Sequence, residues 1–201
     1  MSGVRSRQKE LRRKAIIDCA ASLFAEQGFA GTTVEQIAAE AVVSVATVFN
    51  YFGSKQQIVA EIIRDADEAA IVDALAGIDE FDDPLDALCY IDTQNILHTL
   101  NVLPVSVWRE LLPLMFAPDT PFYEAYRSLV GSFMTHIRDL IDEMAKKGRW
   151  RPNVDPDICV QIWMDISHMQ LFRLVAMDVP DIEGHKAYVR KAMTALLQDP
   201  R

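Results

Sequence analysis

The chain has 201 residues, half of them apolar, and a formal net charge of −9. This length suits one large domain or two small ones. The sequence contains no run of about 18 apolar residues, the length needed to cross a membrane, and its N-terminus lacks the apolar region of a signal peptide. No membrane partner is therefore expected. Cys19, Cys89 and Cys159 lie far apart without a CxxC pair. Such cysteine usage favours a reducing, cytoplasmic location without disulfides.

The charge is unevenly distributed along the chain. Residues 1–14 hold six basic residues and one acidic residue, whereas residues 56–201 hold thirteen basic and twenty-four acidic residues. A polyanion would therefore be attracted to the N-terminal part and repelled by the rest. The basic arm that contains Arg5 and Arg7 either binds nucleic acid or only keeps the protein soluble.

Nearly the whole sequence has a helical pattern. Apolar residues recur at intervals of three and four, and proline or glycine separates the segments. No alternating strand pattern or internal repeat is present. The predicted class is all-α with about nine helices, at about 7–27, 34–40, 45–52, 55–76, 85–103, 105–116, 121–147, 156–177 and 182–197.

Local signals mark the ends of the first helices. Gly28 is expected to end the first helix, as glycine commonly does. Thr32 and Thr33 are each followed three residues later by Glu or Gln, so the capping box of the second helix has two alternative registers. Ser44 is expected to cap the third helix.

The third predicted helix has an unusual outer face. Val48 and Phe52 are four residues apart, so both should point back into the core of the first three helices. Ala38 supplies a small contact point where the second and third helices cross. This is the arrangement of a helix-turn-helix, whose second helix lies in the DNA major groove. The alternative is that the aromatic residues are simply core. The outer and flanking positions are Val45, Ala46, Thr47, Phe49, Asn50 and Tyr51.

Residues 11–58 resemble the DNA-binding region of the tetracycline-repressor-like (TetR) transcriptional regulators. The matching segments are RRKAIIDCAASLFAEQGFAGTTVEQIAAEAVVS and VATVFNYFGSKQQIV. The resemblance implies a helix-turn-helix DNA-binding domain over 1–55. It also implies a helical ligand-binding and dimerisation domain over 56–201, with the fourth helix as connector.

The resemblance also implies individual DNA contacts. Thr33 would bind a backbone phosphate as well as cap its helix, and Lys55 is similar to the family's phosphate-binding lysine. The remaining contacts would come from the third helix and the arm: Ser44, Val45, Ala46, Thr47, Phe49, Asn50, Tyr51, Arg5 and Arg7.

Three features depart from the family pattern. Val42 stands where the family usually has glycine, so the turn is either strained or differently shaped. Phe49 replaces the usual tyrosine and loses its hydroxyl. The third helix contains no Lys or Arg, so it cannot read guanine by a bidentate arginine contact.

The last two predicted helices are expected to form a homodimer interface. The eighth is apolar on most faces, which indicates contact with both its own core and another surface. Two helices from each chain would form a four-helix bundle, although a monomeric bundle is the alternative. The predicted interface residues are Trp163, Met169, Phe172, Tyr188, Ala192 and Leu196.

The fifth to eighth helices are expected to enclose an apolar ligand cavity with a few polar groups. Asp92 lies within an apolar stripe, so its carboxylate needs a partner: a protein cation, a proton or the ligand. Arg109 is the expected partner. The alternative is an ordinary core with hydrogen-bonded polar residues. The predicted ligand-binding residues are Asp92, Asn95, Thr99, Trp108, Arg109, Tyr123, Tyr126, Phe133, Met134, Ile137 and His168.

No catalytic motif or short-spaced metal-binding histidine pair is present, so no enzyme, cofactor or metal site is predicted. The leading hypothesis is a ligand-responsive regulator that binds a palindromic double-stranded DNA operator as a homodimer. It would act as a repressor that a small apolar effector releases from DNA. The alternatives are a helical interaction adaptor that does not bind DNA and an enzyme that uses the C-terminal cavity.

Overall fold

The computed structural model describes residues 2–76, 81–150 and 153–197, with side chains throughout except at 2–5, 69–70 and 73–75. These residues form nine α-helices and no strand, which confirms the predicted class. The helices are α1 Ser2–Gly31, α2 Val34–Glu40, α3 Val45–Phe52, α4 Lys55–Ala76, α5 Pro84–Val102, α6 Val105–Leu111, α7 Pro121–Lys146, α8 Pro156–Ala176 and α9 Ile182–Leu197.

Two helix boundaries depend on glycine and proline. α1 has non-helical backbone at Gly28, with φ of 80°, so the regular helix is interrupted where the sequence predicts its end. The predicted sixth helix is shorter than expected. It ends at Leu111 and continues as a 3₁₀ turn, Leu112–Phe116, which has a proline in its first positions.

The chain divides into two compact units. The first contains Met1–Asp65 and Val102–Arg127, and the second contains Ala66–Asn101 and Ser128–Arg201. α4 and α7 each contribute residues to both units. The domain boundary between residues 55 and 56 stays a prediction.

The first unit has a core in which α1 to α4 all take part. Ile37, Ala38, Val48 and Phe52 are buried, which confirms the expected inward faces of α2 and α3. The other buried residues of this unit include Ile16, Ala20 and Phe24 of α1 and Ile58, Val59 and Ile62 of α4. α2 and α3 are too short to be stable alone, so this packing is what keeps them helical.

The second unit has a larger apolar core built from α5, α7, α8 and α9. Leu88, Ile141, Trp163 and Met193 are buried members of it, one from each helix. Each such buried side chain stabilises the fold by about 1.5–3 kcal/mol. Across the described residues, no helix is both long and apolar enough to cross a bilayer.

Candidate nucleic-acid interface and buried polar groups

α2 begins with a reciprocal capping box. The Thr33 hydroxyl accepts a hydrogen bond from the Gln36 backbone N at 3.2 Å, and the Gln36 side-chain oxygen accepts from the Thr33 backbone N at 2.8 Å. The structure thereby selects one of the two registers that the sequence offers. Thr32 is buried instead, and its hydroxyl donates to the Gly28 carbonyl at 2.8 Å.

The turn between α2 and α3 contains a strained residue. Val42 has a φ of 53° and is the only non-glycine residue with a positive φ among the described positions. It is 89% exposed. A β-branched side chain in the left-handed region costs about 1–2 kcal/mol. The turn keeps its shape because the Val43 backbone N donates to the Ala38 carbonyl at 2.9 Å.

α3 presents its outer face to solvent. Ser44 caps the helix by accepting from the Thr47 backbone N at 3.1 Å, and the two hydroxyl oxygens lie 2.8 Å apart. Phe49 is 48% exposed, and Asn50 is also exposed. The alternative that Phe49 belongs to the core is therefore wrong.

The remaining predicted contact residues of α3 vary in exposure. Ala46 is exposed, whereas Val45 and Thr47 are half-buried. Tyr51 is also half-buried, and its ring centroid lies 6.1 Å from that of Phe52. Their contacts with DNA stay predictions.

The structure gives Lys55 an internal set of partners. Its Nζ donates to the carbonyls of Phe29 and Thr32 at 2.6 Å and 2.7 Å, and lies 4.4 Å from the centre of the Phe29 ring. Burial lowers the pKa of Lys55. The phosphate contact stays a prediction, and this ammonium binds two carbonyls of the segment that leads from α1 into α2.

Among the described side chains of the basic arm, Arg13 is half-buried and the others are exposed. Arg7 is exposed, and the side chain of Arg5 lies outside the described residues. Arg13 hydrogen-bonds Asp65 at 2.8 Å and also contacts Glu61, so it ties α1 to α4. The hydrogen bond to Asp65 raises the pKa of Arg13 further above its usual range. The composition of the arm did not distinguish this structural cation from the others.

The predicted dimer residues fall into two groups. Met169 is 51% exposed and Tyr188 is 45% exposed, and the half-buried members are Phe172, Ala192 and Leu196. Trp163 differs from the prediction, because it is fully buried in the core of its own chain and stacks on Phe133 at 5.7 Å between ring centroids. The apolar pattern of α8 did not separate core from surface at this position.

Asp92 has a different partner from the one expected. Arg109 is exposed, whereas Asp92 Oδ2 lies 2.7 Å from Nε2 of His185 on α9. Both side chains are at most 1% exposed. The two atoms lie within hydrogen-bond distance, but neither they nor Oδ1 of Asp92 and Nδ1 of His185 have a hydrogen-bond partner.

The other predicted ligand residues are divided between the two units. In the first unit, Trp108 is buried, and Tyr123 and Tyr126 are half-buried. In the second unit, Ile137 is buried in the core, and the half-buried members are Asn95, Thr99, Phe133, Met134 and His168. Burial lowers the pKa of His168. Their role in ligand binding stays a prediction.

The second unit also has a surface cleft that the sequence did not indicate. Its volume is about 240 Å³, and none of its residues belongs to the predicted ligand set. Phe81 and Tyr90 have ring centroids 5.0 Å apart, and Arg190 lies 2.5 Å from Asp86. The lining residues are Phe81, Asp86, Cys89, Tyr90, Thr93, Lys186 and Arg190.

Comparison with known protein sequences identifies several relatives. The family model described as "Bacterial regulatory proteins, tetR family" matches residues 16–62. The HTH-type transcriptional regulator BetI of Agrobacterium fabrum is 40% identical over 148 residues, which cover 72% of this chain and 68% of that protein. The HTH-type transcriptional repressor KstR2 of Mycolicibacterium smegmatis is 26% identical over 165 residues, which cover 79% and 77%.

Solved structures share the fold along most of the chain. The transcriptional regulator FadR of Bacillus subtilis, in complex with stearoyl-CoA, has a TM-score of 0.68 at 16% identity and covers 94% of this chain and 99% of that one. A TetR-family transcriptional regulator of Pectobacterium atrosepticum has a TM-score of 0.72 at 18% identity, with coverage of 97% and 98%. At these identities the likeness concerns the fold alone.

Proposed function

The chain belongs to the TetR family of bacterial regulatory proteins, and we propose that it is a repressor that binds a two-fold symmetric DNA operator as a homodimer. A small apolar effector would release it from the operator. The relatives named above are helix-turn-helix transcriptional regulators, which supports a regulatory role over an enzymatic one. Such a protein would act in the cytoplasm, where it meets the chromosome.

The exposed face of α3 is the observation that carries this proposal. Asn50 is exposed there, and an amide can pair in a bidentate manner with the N6 and N7 atoms of adenine. Ala46 and the partly exposed Val45 offer apolar contact to a thymine methyl group. Affinity would depend on phosphate contacts, because α3 carries no cation.

Selection of bound duplexes from a random DNA library tests the proposal. We expect wild type to enrich one two-fold symmetric sequence and Asn50→Ala to lose preference at one base pair in each half-site. The expected loss at that base pair is about 1–3 kcal/mol. Asn101→Ala, which removes an exposed amide from α5, is the matched control and should keep the wild-type preference. Equal preferences for all three proteins would contradict the assignment of α3.

The homodimer would use the exposed faces of α8 and α9. Met169 is a half-exposed apolar residue on α8, so a charge there should disrupt an apolar interface. We expect Met169→Glu to sediment as a monomer and Val72→Glu, which places the same charge on exposed α4, to remain a dimer. A dimer would also match two DNA half-sites about 34–36 Å apart. A wild-type monomer at micromolar concentration would rule this arrangement out.

The proposed effector is a neutral or weakly polar molecule. Asp92 lies beside His185 within the protein, so the ligand need not supply a positive charge to this carboxylate. The structure of FadR in complex with stearoyl-CoA, a ligand with a long apolar chain, supports an apolar effector. The effector would favour the state that does not bind DNA, since only a difference in affinity shifts the population. Native mass spectrometry of the purified protein should reveal a co-purifying compound, and that compound should lower operator affinity.

A further inference from the structure

The 28–33 connection comprises the last residues of α1, from the interruption at Gly28, and the two residues before α2. It is held by a side chain from α6. The Ala30 backbone N donates a hydrogen bond to Oε2 of Glu110 at 2.6 Å, between residues eighty positions apart. Gly28 fits this contact in two ways. Its φ of 80° favours glycine, and a Cβ there would lie 2.6 Å from Oε1 of Glu110. The backbone and the carboxylate can approach closely because Gly28 has no side chain.

α4 holds the same connection from its own first residue. Lys55 Nζ donates to the carbonyls of Phe29 and Thr32, at 2.6 Å and 2.7 Å. The charge of Glu110 opposes the effect of burial, which lowers the pKa of Lys55. An anion and a cation therefore bind the N–H and C=O groups of a connection that begins at Gly28 and leads directly into the cap of α2.

Thr33, the last residue of the connection, is the cap of α2 and is exposed. α2 has only seven residues, so it cannot hold its own direction in isolation. Its position depends on α3, which it packs against, and on the connection that precedes it. A shift of this connection would therefore move Thr33.

We propose that Glu110 is a positioning residue for DNA binding. Together with Lys55 it fixes the 28–33 connection, so that Thr33 faces a DNA phosphate. This inference rests on the proposed function, because it assumes that the α2–α3 pair binds DNA. Glu110 need not touch DNA, and its effect passes through the backbone of the connection.

Because Glu110 is acidic, a positioning role and a purely electrostatic role predict opposite changes in DNA affinity when it is removed. Removing an acidic group from a DNA-binding protein should strengthen binding if only long-range electrostatics matter. Loss of a positioning contact predicts the opposite result. Asp119 supplies a matched control, because it is an exposed carboxylate of the same unit.

The experiment measures the affinity of the full chain for a duplex selected by wild type. We expect Glu110→Ala to bind about fivefold to tenfold more weakly, since a hydrogen bond to a charged group is lost. Glu110→Asp keeps the charge but withdraws the carboxylate, so it should also bind more weakly and serves if Glu110→Ala does not fold. Asp119→Ala should bind as tightly as wild type or slightly more tightly.

Hydrogen exchange supplies a second readout on the same proteins. Amides of residues 29–33 should exchange faster in Glu110→Ala and Glu110→Asp, while those of α8 and α9 should be unchanged. Binding by both Glu110 variants at least as tight as that of Asp119→Ala would overturn the proposal, as would unchanged exchange in 29–33. If wild type selects no DNA sequence, the proposed function fails instead.

Lys55→Met tests the contribution of Lys55 to holding the 28–33 connection. It keeps the aliphatic stem near Phe29 and removes the ammonium. If Lys55 acts by positioning, affinity should fall about fivefold while the dependence of log affinity on log salt keeps its slope. A slope reduced by about one phosphate would assign Lys55 to a direct DNA contact and overturn its positioning role.

Discussion

Polar pairs taken from the two units differ in sequence separation and in burial. In the first, Thr33 pairs with Gln36 and Ser44 with Thr47, each three residues along the chain and at the surface. In the second, Asp92 lies beside His185, on another helix and almost without solvent contact. The two caps of the first unit therefore lie open to a partner, whereas the second unit encloses the Asp92–His185 pair within its core.

This difference teaches which polar groups a ligand could reach. Surface caps leave other atoms of the same residues open to DNA, at little cost because water already solvates them. A buried carboxylate is stable only with a counter-charge or a hydrogen bond in place. The second unit places His185 beside Asp92 within the protein, so an effector need not supply a partner for this side chain.

The largest expected effect comes from separating the buried pair. His185→Leu would leave the Asp92 carboxylate in an apolar environment and should lower the free energy of unfolding by about 3 kcal/mol. The double variant Asp92→Leu/His185→Leu removes both polar groups and should be nearly as stable as wild type. Urea unfolding of the two single variants and the double variant measures the coupling.

The comparison of the single variants with the double variant shows whether the two side chains stabilise one another. If the two single substitutions add up to the effect of the double, the side chains do not stabilise one another. A loss below about 1 kcal/mol in His185→Leu, the range of an exposed ion pair, would show that the stability of the second unit does not depend on the contact between Asp92 and His185. Either result would break the contrast between the units.

A smaller effect is expected at Asp67, which lies in the second-unit part of α4. Burial raises the pKa of this carboxyl from its ordinary 3.8 to about 7. The folded state therefore favours the protonated form of Asp67. The contribution of this group to the free energy of unfolding is fully present below pH 3.8 and is lost as pH rises to about 7. Asp67→Asn should gain about 1–2 kcal/mol above pH 7, after allowance for partial exposure, and little near pH 4.

Thermal unfolding at pH 4 and pH 8 checks the prediction for Asp67. Asp139→Asn, which removes an exposed carboxylate from α7, is the matched control and should show no such pH-dependent gain. Equal behaviour of the two variants at both pH values would mean that Asp67 is as well solvated as a surface residue.

The smallest effect concerns strain in the first unit. Val42→Gly should raise the free energy of unfolding by about 0.5 kcal/mol, because relief of the positive φ exceeds the entropic cost of glycine. Val43→Gly is the control: its φ is not positive, so it should be destabilised. A loss of stability in both variants would indicate that the turn is not strained at Val42.

The local features of the first unit could be predicted from the sequence because their signals lie close together. Gly28, Ser44 and the spacing of Val48 and Phe52 each act within one or two helical turns. The register at Thr32 and Thr33 could not be chosen, since both satisfy the capping pattern. The structure resolves it by burying Thr32.

Long-range choices were beyond the sequence for a physical reason. Asp92 needs a partner, but several polar side chains could supply one, and only the fold, which brings α5 and α9 together, selects His185. Trp163 fits a core and an interface equally well by hydrophobicity alone. Similarly, nothing near Glu110 in the sequence indicates its hydrogen bond with Ala30.

The salt dependence of DNA affinity tests the central claim most directly. The account predicts that the logarithm of affinity for a selected duplex falls linearly with the logarithm of salt concentration. It also predicts that the selected duplex binds about a thousandfold or more tightly than an unrelated duplex of equal length at the same salt. Equal affinity for both duplexes, or binding that salt does not weaken, would contradict the account and favour an adaptor that does not read DNA.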